Sequence, residues 1–231
     1  MVSRAPRTLA LLPGFMLDDA LWDDLVPLLP ADWTVQRITL PRGRTVREVA
    51  DAVARQLDRP AMVLGFSMGG YVARALAAAH PQLVDALVLV ATSAREQAPS
   101  AQQANLAGRA VFKGLSRSAI QRSLSTAHAE DEALIDRVHA MSLRLGHEAF
   151  VWQSALDRSG VLLDGIVCPT LVVAADQDRL RSIDESQELV DAIDDAELEI
   201  VRGAGHLIPL EDPRSLAEVI VEWAVRHVRL R

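Results

Sequence analysis

The chain is short of several residue types, and each shortage removes a class of function. It has one cysteine, Cys168, in 231 residues. An intramolecular disulfide is therefore impossible, which excludes a disulfide-stapled secreted fold and fits a reducing cytoplasm. Cys168 enters the apolar run CPTLVVAA, the setting of a buried structural thiol rather than a nucleophile. No cysteine–histidine cluster has the spacing of a zinc site, so neither metal nor cofactor is expected. Lysine is equally scarce: Lys113 is the only one among 24 Lys and Arg, which leaves one candidate for lysine-based covalent chemistry. With the abundant alanine, this arginine bias points to a GC-rich bacterial gene. Basic charge is not in excess. At a net charge of −7 and a pI near 5.4, the chain lacks the basic surface of a sequence-independent nucleic-acid binder. No polybasic run addresses an anionic membrane, and no segment approaches the ~18 uninterrupted apolar residues of a membrane span. The N-terminus, MVSRAPRTLALLPGFML, starts like a weak signal peptide. Pro13-Gly14 interrupts its apolar run and Asp18-Asp19 follow without a small-x-small cleavage site, so it is read as a first strand. There is no internal repeat and no low-complexity segment.

What is present is apolar and rhythmic. Half the residues are hydrophobic, enough for the core of one large domain. Short β-rich runs predict strands at Leu9–Leu12, Val35–Thr39, Ala61–Gly65, Ala86–Ala91, Thr170–Ala175 and Leu198–Val201. Near-continuous hydrophobicity is what a strand needs when both sheet faces are covered. Amphipathic helices lie between them. Thr45-Val46-Arg47-Glu48 and Ser182-Ile183-Asp184-Glu185 are capping boxes, and Asp212-Pro213 offers an N-cap with a first-turn proline. The alternation predicts an α/β fold with a doubly wound, mostly parallel sheet. From about Arg95 to Gly160 the rhythm stops. AQQANLAGRAVF, SRSAIQRSL, DEALIDRVHAMSLRL and HEAFVWQSALDRS all have helical patterns, which suggests a helical insertion between two core strands.

One stretch carries chemistry. In VLGFSMGG, three glycines surround Ser67 between a strand and a helix. Gly65-Phe66-Ser67-Met68-Gly69 is G-x-S-x-G, the nucleophile-elbow pattern, in its strand–turn–helix context. The turn is tight enough that neighbours bearing a Cβ would collide with it. It projects a serine oxygen at a helix N-terminus, where developing negative charge is favoured. A serine is a weak nucleophile and needs a base. Of six histidines, His80 ends the elbow helix, His128, His139 and His147 lie in the insertion, and His227 is in the last helix. His206, in VRGAGHLIPLEDP, falls in a loop after the last strand, on the rim where α/β sheets bind ligands. Asp176 and Asp178 follow the strand Thr170–Ala175, so either can supply the carboxylate that orients the base. The order Ser, Asp, His suits this kind of sheet. Two backbone N–H groups should hold an oxyanion: that of Met68, after the nucleophile, and that of Phe15, after Pro13-Gly14.

These segments together resemble the α/β-hydrolase superfamily over nearly the whole chain: LLPGF…LW, GFSMGG, HPQLVDALVLVATSA, CPTLVVAADQD and GAGHLIPLEDP, in family order. The resemblance places the acid at Asp178, leaving Asp176 to cap the turn. It divides the chain into a core, 1–94 and 161–231, and a helical cap, 95–160, that roofs the site. It implies a serine hydrolase working through an acyl-enzyme on a small or medium carboxylic ester, with a small-molecule acyl substrate as partner. A lactonase, thioesterase, perhydrolase or carbon–carbon bond hydrolase would share the triad. A non-catalytic receptor on this fold is the reading from another class. An aspartate would stand at the elbow of a dehalogenase or epoxide hydrolase. The chain departs from the family in Pro13-Gly14 for His-Gly, in Ala175 for the glycine before the acid loop, in a missing first hairpin and in a short loop at Pro41–Arg44. None of these removes a catalytic group. Leu17, Phe66 and Leu207 flank the triad as candidate pocket walls. Phe112, Phe150 and Trp152 in the cap are candidates to reach down to it, with cap–core packing as the plainer role. Arg109 and Arg117 are weaker candidates for a substrate carboxylate.

Overall fold

The computed structural model describes residues 8–97, 112–161 and 163–227. Among the described residues six strands form one sheet: β1 (Thr8–Leu12), β2 (Thr34–Arg37), β3 (Ala61–Phe66), β4 (Val84–Val90), β5 (Thr170–Ala175) and β6 (Ala196–Val201). Their ends differ from the sequence expectation by at most two residues. Every described pairing is parallel, in the order β2-β1-β3-β4-β5-β6.

Side-chain alternation explains the apolar runs. Leu9, Leu11, Leu64, Val88 and Val173 face one core; Ala10, Leu12, Val63, Leu87 and Val172 face the other. Both faces are covered, so neither alternate set can be polar. The first core is closed by Trp22 and by α7 (Pro213–His227), with Trp223 buried. The second is closed by α1 (Val46–Ala54), α2 (Met68–Ala79) and α5 (Ile183–Ala192). The edge strand β6 carries half-buried Glu197 and Glu199, charges that discourage further strand addition.

The helix starts follow local chemistry. Thr45 Oγ1 accepts from the Glu48 N–H at 3.1 Å, and the Glu48 carboxylate turns back to the Arg44 N–H at 2.9 Å. That backbone hydrogen bond, with the Arg44 guanidinium, holds the Glu48 carboxyl below its usual range. Ser182 caps α5 and Asp212 caps α7 in the same way.

Between β4 and β5 lie α3 (Arg117–Ser123) and α4 (Glu132–Ser154). The second is two helices joined at Gly146, whose φ of 76° and ψ of −173° leave the helical region. This is the break expected between the two helical patterns on either side. Ile120, Leu134, Ile135, Val138 and Met141 join the same hydrophobic cluster as Trp22 and the sheet. The helix expected over AQQANLAGRAVF lies outside the described residues apart from Phe112.

Strand order sets where a ligand can bind. From β1 the chain moves outward to β2, then returns to the other side of β1 for β3. The crevice beyond the carboxyl ends of β1 and β3 is this switch point.

Candidate active site

Ser67 is the whole turn between β3 and α2. Its φ of 49° and ψ of −112° put a non-glycine residue in left-handed territory, at a cost of about 1–3 kcal/mol. The fold holds it there. The Ser67 N–H donates to the Val90 carbonyl at 2.9 Å, and the Ser67 carbonyl accepts from the Gly70 N–H at 3.0 Å and from Thr92 Oγ1 at 2.8 Å. The glycines are needed for approach. A Cβ on Gly65 would lie 2.6 Å from the Ala73 Cβ, and one on Gly69 would run into the Leu12 and Pro13 carbonyls.

The loops after β5 and β6 bring the other two groups. Ser67 Oγ lies 2.9 Å from His206 Nε2, and His206 Nδ1 lies 2.7 Å from Asp178 Oδ2. The His206 side chain is 7% exposed and that of Asp178 1%. Asp178 Oδ1 also accepts from the Leu180 and Arg181 N–H groups, at 2.7 and 2.9 Å. Three donors therefore converge on one buried carboxylate, the arrangement that fixes its position. The neighbouring Asp176 points elsewhere: its Oδ1 accepts from the Gly203 N–H at 2.7 Å and braces the loop. With Nδ1–H donated to Asp178, Nε2 is free to accept from the Ser67 hydroxyl, so the chain of bonds can pass a proton from Ser67 to His206. Four of the other histidines are engaged away from Ser67. His80 meets Asp51, His128 meets Ser125 Oγ, His139 the Leu115 carbonyl, and His227 Glu197.

Two residues that carry no sequence motif position this machinery. The side chain of Glu211, on α6 (Ile208–Glu211), has no exposed surface. Its Oε1 accepts from the Gly205 and Leu207 N–H groups on either side of His206, at 3.2 and 3.1 Å. Its Oε2 accepts from the Ser125 N–H at 2.7 Å. One carboxylate thus ties the His206 loop to the segment after α3, and the His206 N–H adds a bond to the Ser123 carbonyl at 2.7 Å. The second is Gln153. Its Oε1 accepts from the Met16 N–H at 2.7 Å, where Met16 has a φ of 55°. The loop carrying Phe15 is held in a strained conformation by a side chain from α4. A glutamine in the last turn of a helix and a glutamate five residues after a histidine give no signal in one sequence.

Met68 heads α2, where first-turn N–H groups have no intrahelical acceptor. Phe15 follows the turn after β1. The cleft above Ser67 has a volume of about 280 Å³ and mostly apolar walls. Phe15, Leu17, Phe66 and Leu207 are in its wall, beside Ser67 and His206. The roof comes from Leu115, Ala119, Ile120 and Val138, with Arg122 and Leu180. The insertion aromatics sit elsewhere. Phe150 stacks on Phe112 at 4.6 Å and tilts against Phe15 at 6.0 Å. Trp152 packs against the α2-side core. Arg117 is taken up by Glu132 and Asp136 at the surface, and Arg109 lies outside the described residues. Cys168 is buried, and burial pushes its thiol up to about 11.

Comparison with known proteins agrees with this geometry. Residues 44–213 match the family described as "Serine aminopeptidase, S33". A pimeloyl-[acyl-carrier protein] methyl ester esterase of Neisseria meningitidis serogroup C is 34% identical over 198 residues, 76% of this chain and 77% of the relative. A serogroup B relative of the same name is 32% identical over 224 residues, 87% and 86% of the two chains. Among solved structures, an enol-lactonase from Burkholderia xenovorans superposes with a TM-score of 0.86 at 21% identity, covering 95% of this chain and 92% of that one. A thermophilic esterase from Thermogutta terrifontis gives 0.83 at 24% identity, covering 98% and 92%. The family match, the curated relatives and the shared fold agree, and the chain belongs to the serine aminopeptidase family of α/β-hydrolases, a family of serine hydrolases.

Proposed function

We propose that the chain hydrolyses a small or medium carboxylic ester, with Ser67 as nucleophile, His206 as base and Asp178 as orienting acid. The observation that carries this reading is the hydrogen-bonded chain Ser67–His206–Asp178 on the floor of an apolar cleft. Ser67 Oγ attacks the ester carbonyl as His206 Nε2 takes its proton. The amide N–H groups of Phe15 and Met68 receive the oxyanion. The tetrahedral intermediate collapses, His206 protonates the departing alcohol, and the acyl group stays on Ser67. Water, deprotonated by His206, then releases the acid.

The cleft lies at the small end of ligand sites, roughly 300–1,000 Å³, and its apolar walls suit an unbranched acyl chain. Methyl esters of medium-chain acids are the first natural class to try, because the curated relatives are named for a methyl ester carried on acyl-carrier protein. The lone buried thiol supports a reducing compartment. Among the described residues no helix is long and apolar enough to cross a membrane.

The test is turnover of p-nitrophenyl acetate, butyrate and octanoate and of a medium-chain methyl ester, beside Ser67→Ala, with a fluorophosphonate probe as a chemical label. The expected result is labelling at Ser67, turnover that peaks below the longest chain, and a fall in kcat of about 10⁴-fold or more in Ser67→Ala. An unlabelled serine and equal rates in both proteins would sink the proposal in favour of a ligand-binding role.

A further inference from the structure

Five buried side-chain donors stand together without a hydrogen-bond partner among the described residues: the Tyr71 hydroxyl, Nε and Nη1 of Arg74, Nε of Arg158 and Nε of Arg181. Tyr71 is fully buried and Arg74 is 1% exposed. The Arg74 guanidinium lies over the Tyr71 ring, its Cζ 4.5 Å from the centroid, and that of Arg158 lies 5.8 Å from the same ring. Arg158 and Arg181 converge on Gln97 Oε1, at 3.0 and 3.4 Å. None of these side chains lines the cleft over Ser67.

The charge here is not balanced. Glu185 lies 3.5 Å from Arg181. Glu96 attracts Arg74 through space, but it is exposed and accepts from the Gly160 N–H. Burial pulls the Arg74 guanidinium down only to about 10, so it stays charged at neutral pH. A buried cation with unmet donors is costly, and proteins keep such groups paired or bound to something. Guanidinium forks match oxyanions in shape as well as charge.

We infer that Arg74, Arg158, Arg181 and Tyr71 form a binding site for a small oxyanion such as phosphate, sulfate or a carboxylate, separate from the cleft over Ser67. Its position gives it a structural consequence. Arg181 donates its N–H to Asp178 Oδ1. Arg158 donates to the Gln153 carbonyl at 3.4 Å, and the Gln153 side chain holds Met16. A bound anion therefore ties α2, the foot of α4 and the loop after β5 to one another.

The experiment titrates sodium phosphate, sulfate and acetate separately into the wild-type protein in Tris chloride at fixed ionic strength. It reads Tm and the heat of binding, and neither depends on ester hydrolysis. A saturable, one-site response to at least one anion is expected, and the strongest responder separates a tetrahedral from a planar occupant. Arg158→Gln should weaken the affinity on the order of tenfold or more, the loss of one charge-assisted bond. Arg74→Met should abolish the response, while its Tm in plain Tris chloride equals or exceeds that of the wild type because an unpaired buried charge is gone. If Arg74→Met does not fold, the Arg158→Gln comparison decides. A Tm rise that never saturates and is the same in wild type and variants is general salt exclusion. That result, or no response at all, overturns the inference.

Discussion

Ser67 and His206 reach the cleft, and Asp178 reaches His206 behind it, from loops after three strands, while Ile120, Ser123 and Val138 reach the cleft from helices laid across the top. The two sets are positioned differently. The loop residues are fixed by the backbone: a left-handed serine, glycines where another chain passes, and a carboxylate that collects N–H groups. The helix residues are fixed by packing into the cluster around Trp22 and by surface ion pairs, such as Arg137 with Asp24 and Arg144 with Asp18. Backbone devices accept few residue types. Packing accepts any side chain of about the right volume. A single substitution should therefore cost most on the strand rim, less at the joint between the two regions, and least on the outside of the cap.

The largest effect is expected at Asp178. Its carboxylate accepts from the Leu180 and Arg181 N–H groups and from His206 Nδ1. In Asp178→Asn the single oxygen can keep the two backbone donors, and the loop should then fold as before. The amide NH₂ is left facing Nδ1, which must become an acceptor. The proton moves to Nε2, and His206 can no longer take the Ser67 proton. A loss in kcat of about 10⁴-fold is expected with little change in Tm. Steady-state rates and a thermal melt on the same preparation check both halves. A large fall in Tm would mean that the carboxylate acts mainly in holding the loop.

The joint comes next. Glu211 receives N–H groups at both oxygens, from the His206 loop at one and from Ser125 at the other. In Glu211→Gln, whichever way the amide turns, its NH₂ faces a donor and a buried N–H is left unmet. The cost should be about 1–3 kcal/mol, read by urea unfolding, with a lower kcat because both neighbours of His206 loosen. An unchanged kcat beside a lost 1–3 kcal/mol would separate the stability of the joint from the aim of His206, and the two regions would be less coupled than the bonds imply.

This difference also accounts for how much of the molecule its sequence reveals. The six strands, Ser67, His206 and the flanking Phe15 and Leu207 were legible, because each sits where the backbone demands a pattern: an apolar run, G-x-S-x-G, or a glycine-bounded loop after a strand. Asp178 and Asp176 could not be separated on residues alone. Both follow β5, and only the coordinates show one meeting His206 and the other Gly203. The described helices between β4 and β5 were legible as helices but not as a surface. Phe150 and Trp152 are large and apolar, the properties of a pocket wall, yet they pack against Phe15 and against the α2-side core. The roof is made by smaller Ala119, Ile120 and Val138, because helix rotation, set by packing partners far along the chain, decides which face points down. Glu211 and Gln153 were invisible for a related reason: their partners, Ser125 and Met16, are 86 and 137 residues away.

The smallest effect should be at Arg144. Its Nε and Nη2 meet both oxygens of Asp18, at 2.6 and 3.0 Å, in a forked ion pair between α4 and the loop after β1. The arginine side chain is nonetheless 54% exposed, and water offers both partners nearly as good an arrangement. In Arg144→Ala, Asp18 keeps its N-terminal bond to the Ala20 N–H at 3.1 Å, so no buried group is stranded. The loss should be about 0.2–1 kcal/mol and should shrink as salt is raised. Asp18→Ala removes the cap bond as well, and should cost about 1 kcal/mol more. Denaturant midpoints at low and high salt measure both. If Arg144→Ala costs as much as Glu211→Gln and resists salt, charge rather than packing seats the cap. Its helices would then be as tightly specified as the strand rim beneath them.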